Sequence, residues 1–148
     1  MTLKEKIQSD MIVAMKRKEE LKLSTLRMLT ATIRNKEIEK RPTPLSNEDI
    51  VTIVQSEIKK RNDAIVDYEK GGRPELAKKE KDEKTILEAY LPAQLSDAEL
   101  ATLVDAAVKE NGASSAKDFG AVMKVLMPKV KGKAPGNKVS DLLKQRLI

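Results

Sequence analysis

The stretch KKRNDAIVDYEKGGRPELAKKEKDEKTILEAYLPAQLSDAEL, Lys59–Leu100, decides how the chain is read. Upstream of its glycines, Ile50, Val54, Ile58, Arg61, Ile65 and Tyr68 recur at three- and four-residue spacing, which predicts one stripe of a helix. Gly71 and Gly72 end that helix, and Pro74 suits the first turn of the next. The second helix runs to about Tyr90. Pro92 stops it, and Ser96 with Glu99 supplies a capping box for another start. The stretch is therefore a long helix hairpin followed by a boundary. We expect residues 1–92 to form an N-terminal helical domain and 93–148 a smaller C-terminal one.

One feature of the hairpin is out of pattern. The core face of its second helix reads Leu76, Glu80, Glu83, Leu87 and Tyr90, so two glutamates stand where apolar residues belong. Carboxylates three apart share a helical face and have the spacing of a metal ligand pair or an acid–base pair. With the turn centred between Gly71 and Gly72, Arg61 falls opposite Asp82, between Glu80 and Glu83. Arg61 is also the one charged member of its own stripe. A buried charge demands a partner, so a structural ion pair of Arg61 with Glu80 and Glu83 is the favoured reading. Di-iron bundles need histidine in a Glu-x-x-His pattern, and the chain has no histidine.

Working outward, helical spacing recurs and strand alternation is never sustained. Leu3, Ile7, Met11 and Met15 predict a first helix. Leu23, Leu26, Leu29 or Thr30, and Ile33 predict a second, ending near Glu39. The prolines of RPTPLSNED break the chain, and Ser46 with Asp49 starts the hairpin's first helix. Beyond the boundary, Leu100, Leu103, Val104, Ala107 and Val108 mark a helix ended by Gly112. Ser114 or Ser115 starts the next, with Phe119, Val122, Met123 and Leu126 apolar and Pro128 as its end. Val139, Leu142, Leu143 and Leu147 mark the last. The fold class expected is all-α, with a small three-helix C-terminal domain.

Composition agrees. Aromatics are 2% and charged residues 35% of the 148 residues, which implies an aliphatic helical core. The absence of cysteine removes disulfide and thiolate chemistry and suggests a reducing cytoplasm. No apolar run is long enough to span a bilayer, and the charged N-terminus MTLKEKIQSDM does not read as a signal peptide. Without histidine or cysteine, Ser-His-Asp and Cys-His catalysis and the usual zinc sites are excluded. No catalytic residue, metal or cofactor is expected, and the lack of a sustained heptad favours a monomer.

The net charge of +6 is unevenly spread. Residues 1–118 balance to zero, whereas residues 119–148 carry seven basic residues and one acidic residue. Lys124, Lys129, Lys131, Lys133 and Lys138 surround Gly132 and Gly136. GKAPGNKV is not a P-loop, because three residues rather than four separate its glycines and Asn-Lys-Val replaces Gly-Lys-Ser/Thr. Lysines near glycines and a helix start still suit phosphate contact. Phe119 is the only aromatic nearby and is expected in the core, so base stacking is poorly supplied. Shape and backbone recognition of folded RNA fits better than sequence reading.

LRMLTATIRNKEIE, the Lys59–Leu100 stretch and GAVMKVLMPKVKGKAPGNKVSDLLKQRL together closely resemble the GatB/YqeY family, over essentially the whole chain, in the form of a stand-alone YqeY-like protein. The same module forms the C-terminal part of the B subunit of the glutamine-dependent tRNA amidotransferase. The resemblance implies a two-part helical fold whose tail, about Ser96–Ile148 here, holds the outer body of tRNA. Matching positions are Gly120, Met123, Pro128, Lys131, Gly132, Gly136 and Val139. It further implies a link to carbon–nitrogen ligases with glutamine as amide donor, acting with partner subunits. One departure is Pro135, where relatives commonly carry Asp. The expectation is a non-catalytic binder of tRNA or other folded RNA, using Lys124, Lys129, Lys131, Gly132, Lys133, Gly136 and Lys138. A protein-interaction adaptor, gripping a partner through exposed Met and Leu on the tail helices with Met15, Met28, Met123 and Met127 as adaptable contacts, is the alternative outside that class.

Overall fold

Side-chain capping sets three of the seven α-helix starts among the described residues. The computed structural model describes residues 1–147, so Ile148, the last residue of the expected C-terminal domain, lies outside the described residues. The first helix, α1 (Leu3–Lys16), begins at Thr2, whose hydroxyl accepts the Glu5 N–H while the Glu5 carboxylate accepts the Thr2 N–H. α2 spans Glu20–Glu39, and α3, Asn47–Lys70, starts at the Ser46–Asp49 capping box. α4, Pro74–Glu88, has Pro74 in its first turn. Between α3 and α4, Gly72 takes a left-handed φ of 69°, and the Arg73 N–H donates to the Tyr68 carbonyl at 2.8 Å.

The chain divides into a unit Met1–Leu91 and a unit Pro92–Ile148. In the first, α3 and α4 pair as the hairpin, and their apolar stripes meet α1 and α2. Ile7, Leu26, Leu29, Ile33, Ile50, Val54 and Leu87 form the dry centre. Tyr90 is buried at its edge, and its hydroxyl donates to Asp10 Oδ2 at 2.7 Å. The expected stripe of α1 fails at its last member. Met15 is 51% exposed, and Ala14 is buried in its place. Each four-residue step overshoots a helical turn by about 40°, so repeated steps of four from Ile7 walk off the core face.

In the second unit, α5 (Asp97–Glu110) starts at the Ser96–Glu99 capping box. A 3₁₀ turn, Ala116–Asp118, leads into α6, Phe119–Val130, and α7 is Gly136–Arg146. Asp118 fixes the 3₁₀ turn by accepting the N–H groups of Ser114 and Ser115. Leu100, Val104, Val122, Leu126, Val130, Val139 and Leu143 interlock as an aliphatic core. Pro128 does not end α6 as expected; it sits inside, and the helix continues to Val130. A proline this close to the end forfeits one backbone bond, while burial of Val130 favours the extra residues. The described residues thus form seven α-helices and no strand.

This packing has a direct consequence. Leu126→Ala should destabilise the C-terminal unit by about 3 kcal/mol. Val125→Ala, at a position 39% exposed, should change it by less than about 0.5 kcal/mol. Hydrogen exchange of the α5 and α7 amides measures both, and equal effects would refute the core assignment.

Candidate nucleic-acid interface

The α6–α7 turn is anchored from within. Leu95 donates its N–H to the Lys133 carbonyl at 2.9 Å, and Gln94 Nε2 donates to the Gly132 carbonyl at 2.8 Å. Gly132 has a left-handed φ of 78°, which a side chain would oppose. Gly132 and Ala134 are buried, whereas Lys131, Lys133 and Pro135 between and beyond them are exposed. This alternation turns both lysines outward. Gly132 therefore shapes the turn, and its carbonyl is already engaged. Gly136 is exposed and opens α7, with open space where a Cβ would stand.

The start of α7 differs chemically from the starts of α1, α3 and α5. Its cap residue is Pro135, which offers no side-chain acceptor; the Lys138 N–H is taken by Asn137 Oδ1 at 3.0 Å and the Pro135 carbonyl at 3.1 Å, so only the N–H groups of Gly136 and Asn137 are left without a side-chain acceptor. Asn137 and Gly136 are exposed there, with Lys138 one residue on. First-turn N–H groups and the helix dipole make such an end attractive to anions.

The seven basic residues of the tail do not all stand free. Lys138 bonds Asp97, Arg146 Nε reaches Asp105 Oδ1 at 2.7 Å, and Lys129 lies 3.8 Å from Glu110. Lys144 lies over the Phe119 ring, 5.8 Å from its centre. Among the described residues, Lys124, Lys131, Lys133 and Lys144 have no acidic partner. The three acids all belong to α5, which a count along the chain places on the other side of the charge divide. Counted over the folded unit, residues 92–148 hold nine basic and six acidic residues. The acids of α5 are visible in sequence, but their partners lie in other helices. The methionines separate: Met123 and Met127 pack on the tail core, while Met15 and Met28 are about half exposed.

In the hairpin, Arg61 is 4% exposed. Its Nη1 donates to Glu57 Oε2 at 2.9 Å and to the Glu57 carbonyl at 3.1 Å. Its Nε lies 3.4 Å from Glu83 Oε2 but is not aligned for a hydrogen bond. Glu80 makes no ion pair with Arg61 among the described residues; it lies half-buried beside Glu83. Glu57, one turn before Arg61 on α3, is a partner that the sequence reading misses, although its four-residue spacing is the available sign. Burial raises the Glu80 pKa above the ordinary value, the Glu83 carboxylate adds to this, and Arg61 opposes it. Glu83, with Glu57, is thus committed to compensating Arg61, and no group of three or more potential metal ligands occurs among the described residues.

An all-helical body with a lysine-bearing turn at the start of its last helix is the class these observations define. A family model described as "Yqey-like protein" matches residues 4–147, and the chain belongs to that family. Among curated proteins, it is similar to "Altered inheritance of mitochondria protein 41, mitochondrial" of Eremothecium gossypii, at 36% identity over 106 residues, 70% of this chain and 58% of the relative. The protein of the same name in Vanderwaltozyma polyspora is 36% identical over 85 residues, 57% of this chain and 46% of the relative. The chain spans about half the length of the curated relatives it matches. Their names place them in mitochondria, which overturns the cytoplasmic expectation. That expectation rested on the lack of cysteine, which removes disulfides without selecting a compartment.

The ionic cluster makes two predictions. Arg61→Met should cost about 3–5 kcal/mol, because it strands Glu57 and Glu83. For Glu80 the native state binds the proton more tightly than the unfolded chain, so its contribution is full at low pH and is lost as pH rises through the raised pKa. Glu80→Gln should therefore match the wild type below about pH 4 and become progressively more stable than it above. Urea midpoints across pH measure this, and a gap that closes with rising pH would contradict it.

Proposed function

We propose that the C-terminal unit binds the phosphate backbone of a folded RNA of the tRNA kind, as a non-catalytic accessory module. The observation that carries this reading is the anchored α6–α7 turn. It sets Lys131 and Lys133 outward, without acidic partners, beside the start of α7, where the Gly136 and Asn137 N–H groups have no side-chain acceptor. A preset turn orders these cations before the ligand arrives, which lowers the entropic cost of binding. Lysines act as point charges on phosphates and carry no base preference. Lys129 and Lys138 join as exchangeable members. Their partners Glu110 and Asp97 are exposed, and exposed ion pairs are worth about 1 kcal/mol or less. The resemblance to the tail of the amidotransferase B subunit points the same way. Catalysis by this chain alone has no support in the Glu80–Glu83 pair, whose Glu83 is engaged with Arg61.

Fluorescence anisotropy with labelled total tRNA at low and raised salt tests the reading. Binding should fall steeply with salt. The double variant Lys131→Ala/Lys133→Ala should reduce the salt slope by about two, whereas Asp97→Asn should strengthen binding by freeing Lys138. No binding at low salt, or an unchanged slope in the double variant, would end the proposal.

A further inference from the structure

A concave surface lies in the N-terminal unit, independent of the RNA reading. The start of α1, the end of α2 and the loop after α2 enclose a groove of about 430 Å³, within the range of small-molecule sites. Its floor is apolar: Ile7 and Ile33 are buried, and Ile38 is half exposed at its edge. Pro42 and Pro44 stiffen the loop wall. The loop is also tied down, since the Thr43 N–H donates to the Lys40 carbonyl at 2.9 Å and Lys40 Nζ reaches Asp49 at 3.2 Å.

Its charges do not cancel. Lys4 and Glu37 satisfy each other across the groove at 2.6 Å. Arg34 and Arg41 also line it, and neither has a carboxylate within ion-pair distance among the described residues. Two uncompensated guanidinium groups above an aliphatic floor match one ligand chemistry. A guanidinium fork receives a planar or tetrahedral oxyanion through paired N–H donors, and the isoleucines take an apolar body. We propose that this groove is a binding site for a small organic anion, a phosphate or carboxylate carried on an apolar group.

The test uses the full chain, labelled with ¹⁵N, titrated with phenyl phosphate and with benzoate, and in parallel with inorganic phosphate and with phenol. Either or both of the first two should give saturable shifts confined to the first turns of α1, the last turns of α2 and residues 41–44. Inorganic phosphate and phenol should each bind at least tenfold more weakly, because each offers half of the recognised chemistry. Arg34→Ala and Arg41→Ala should each weaken the preferred anion by about tenfold. Both side chains are exposed, so the amide spectrum elsewhere should stay unchanged and report intact folding. Equal response to inorganic phosphate would mark a generic phosphate-backbone surface and overturn the proposal. So would shifts centred on Lys131–Lys138, or undiminished affinity in both arginine variants.

Discussion

Two hydrogen bonds fix the α6–α7 turn of the C-terminal unit: those from Gln94 and Leu95 to the carbonyls of Gly132 and Lys133. They hold the segment after Pro92 against the α6–α7 turn and force its residues to alternate between core and water. The part-buried Gly132 carbonyl needs a donor, and both donors come from a segment about forty residues earlier in the chain. Once the turn is held, Val130 and Val139 both reach the core, and α7 can cover α5 and α6. The outward aim of Lys131 and Lys133 follows from that arrangement. Turn geometry, core closure and surface charge are thus one constraint seen at three levels.

The same logic governs the hairpin, with opposite outcome for its charges. Arg61 occupies a core position of α3, and its desolvation is offset by Glu57 within the helix and Glu83 across it. Glu80 then stands next to a carboxylate already in use, which adds to burial in holding its proton more firmly. Carboxylates arranged this way serve the packing of α3 on α4. In the tail the corresponding acids, Asp97, Asp105 and Glu110, are exposed, so their pairs with Lys138, Arg146 and Lys129 are weak and can be exchanged. Burial, rather than the residue types, separates a structural ion cluster from an available one.

What can be read from the sequence tracks the range of the interaction responsible. Ser46, Ser96 and Gly72 act on neighbours within four residues, so the helix starts and the hairpin turn are legible. Met15 and Pro128 escape because simple rules, a step of four and proline as a stop, ignore phase drift and the pull of a buried Val130. Arg61 announces itself as a charge in an apolar stripe, and its opposing Glu83 follows from antiparallel register. The partners of Lys138 and Arg146 lie forty-one residues away, and no local pattern encodes such a pairing. A charge total taken along the chain therefore overstates the tail's isolation: the acids of α5 fold back onto the same unit.

The two cationic surfaces differ in a way that bears on what each can recognise. The tail presents lysines on an exposed turn, where each ammonium group keeps most of its water and can slide among phosphates. The groove of the N-terminal unit presents arginines beside an apolar floor, where a planar fork fixes the orientation of one oxyanion. Exposure and point charge favour an extended polyanion; concavity and forked donors favour a small ligand of definite shape. A long phosphate backbone gains little from Ile7 and Ile33, and a small organic anion gains little from a hydrated turn. On the two proposals, the residues at each surface would select for different ligands, and occupancy of one would not require the other to be filled.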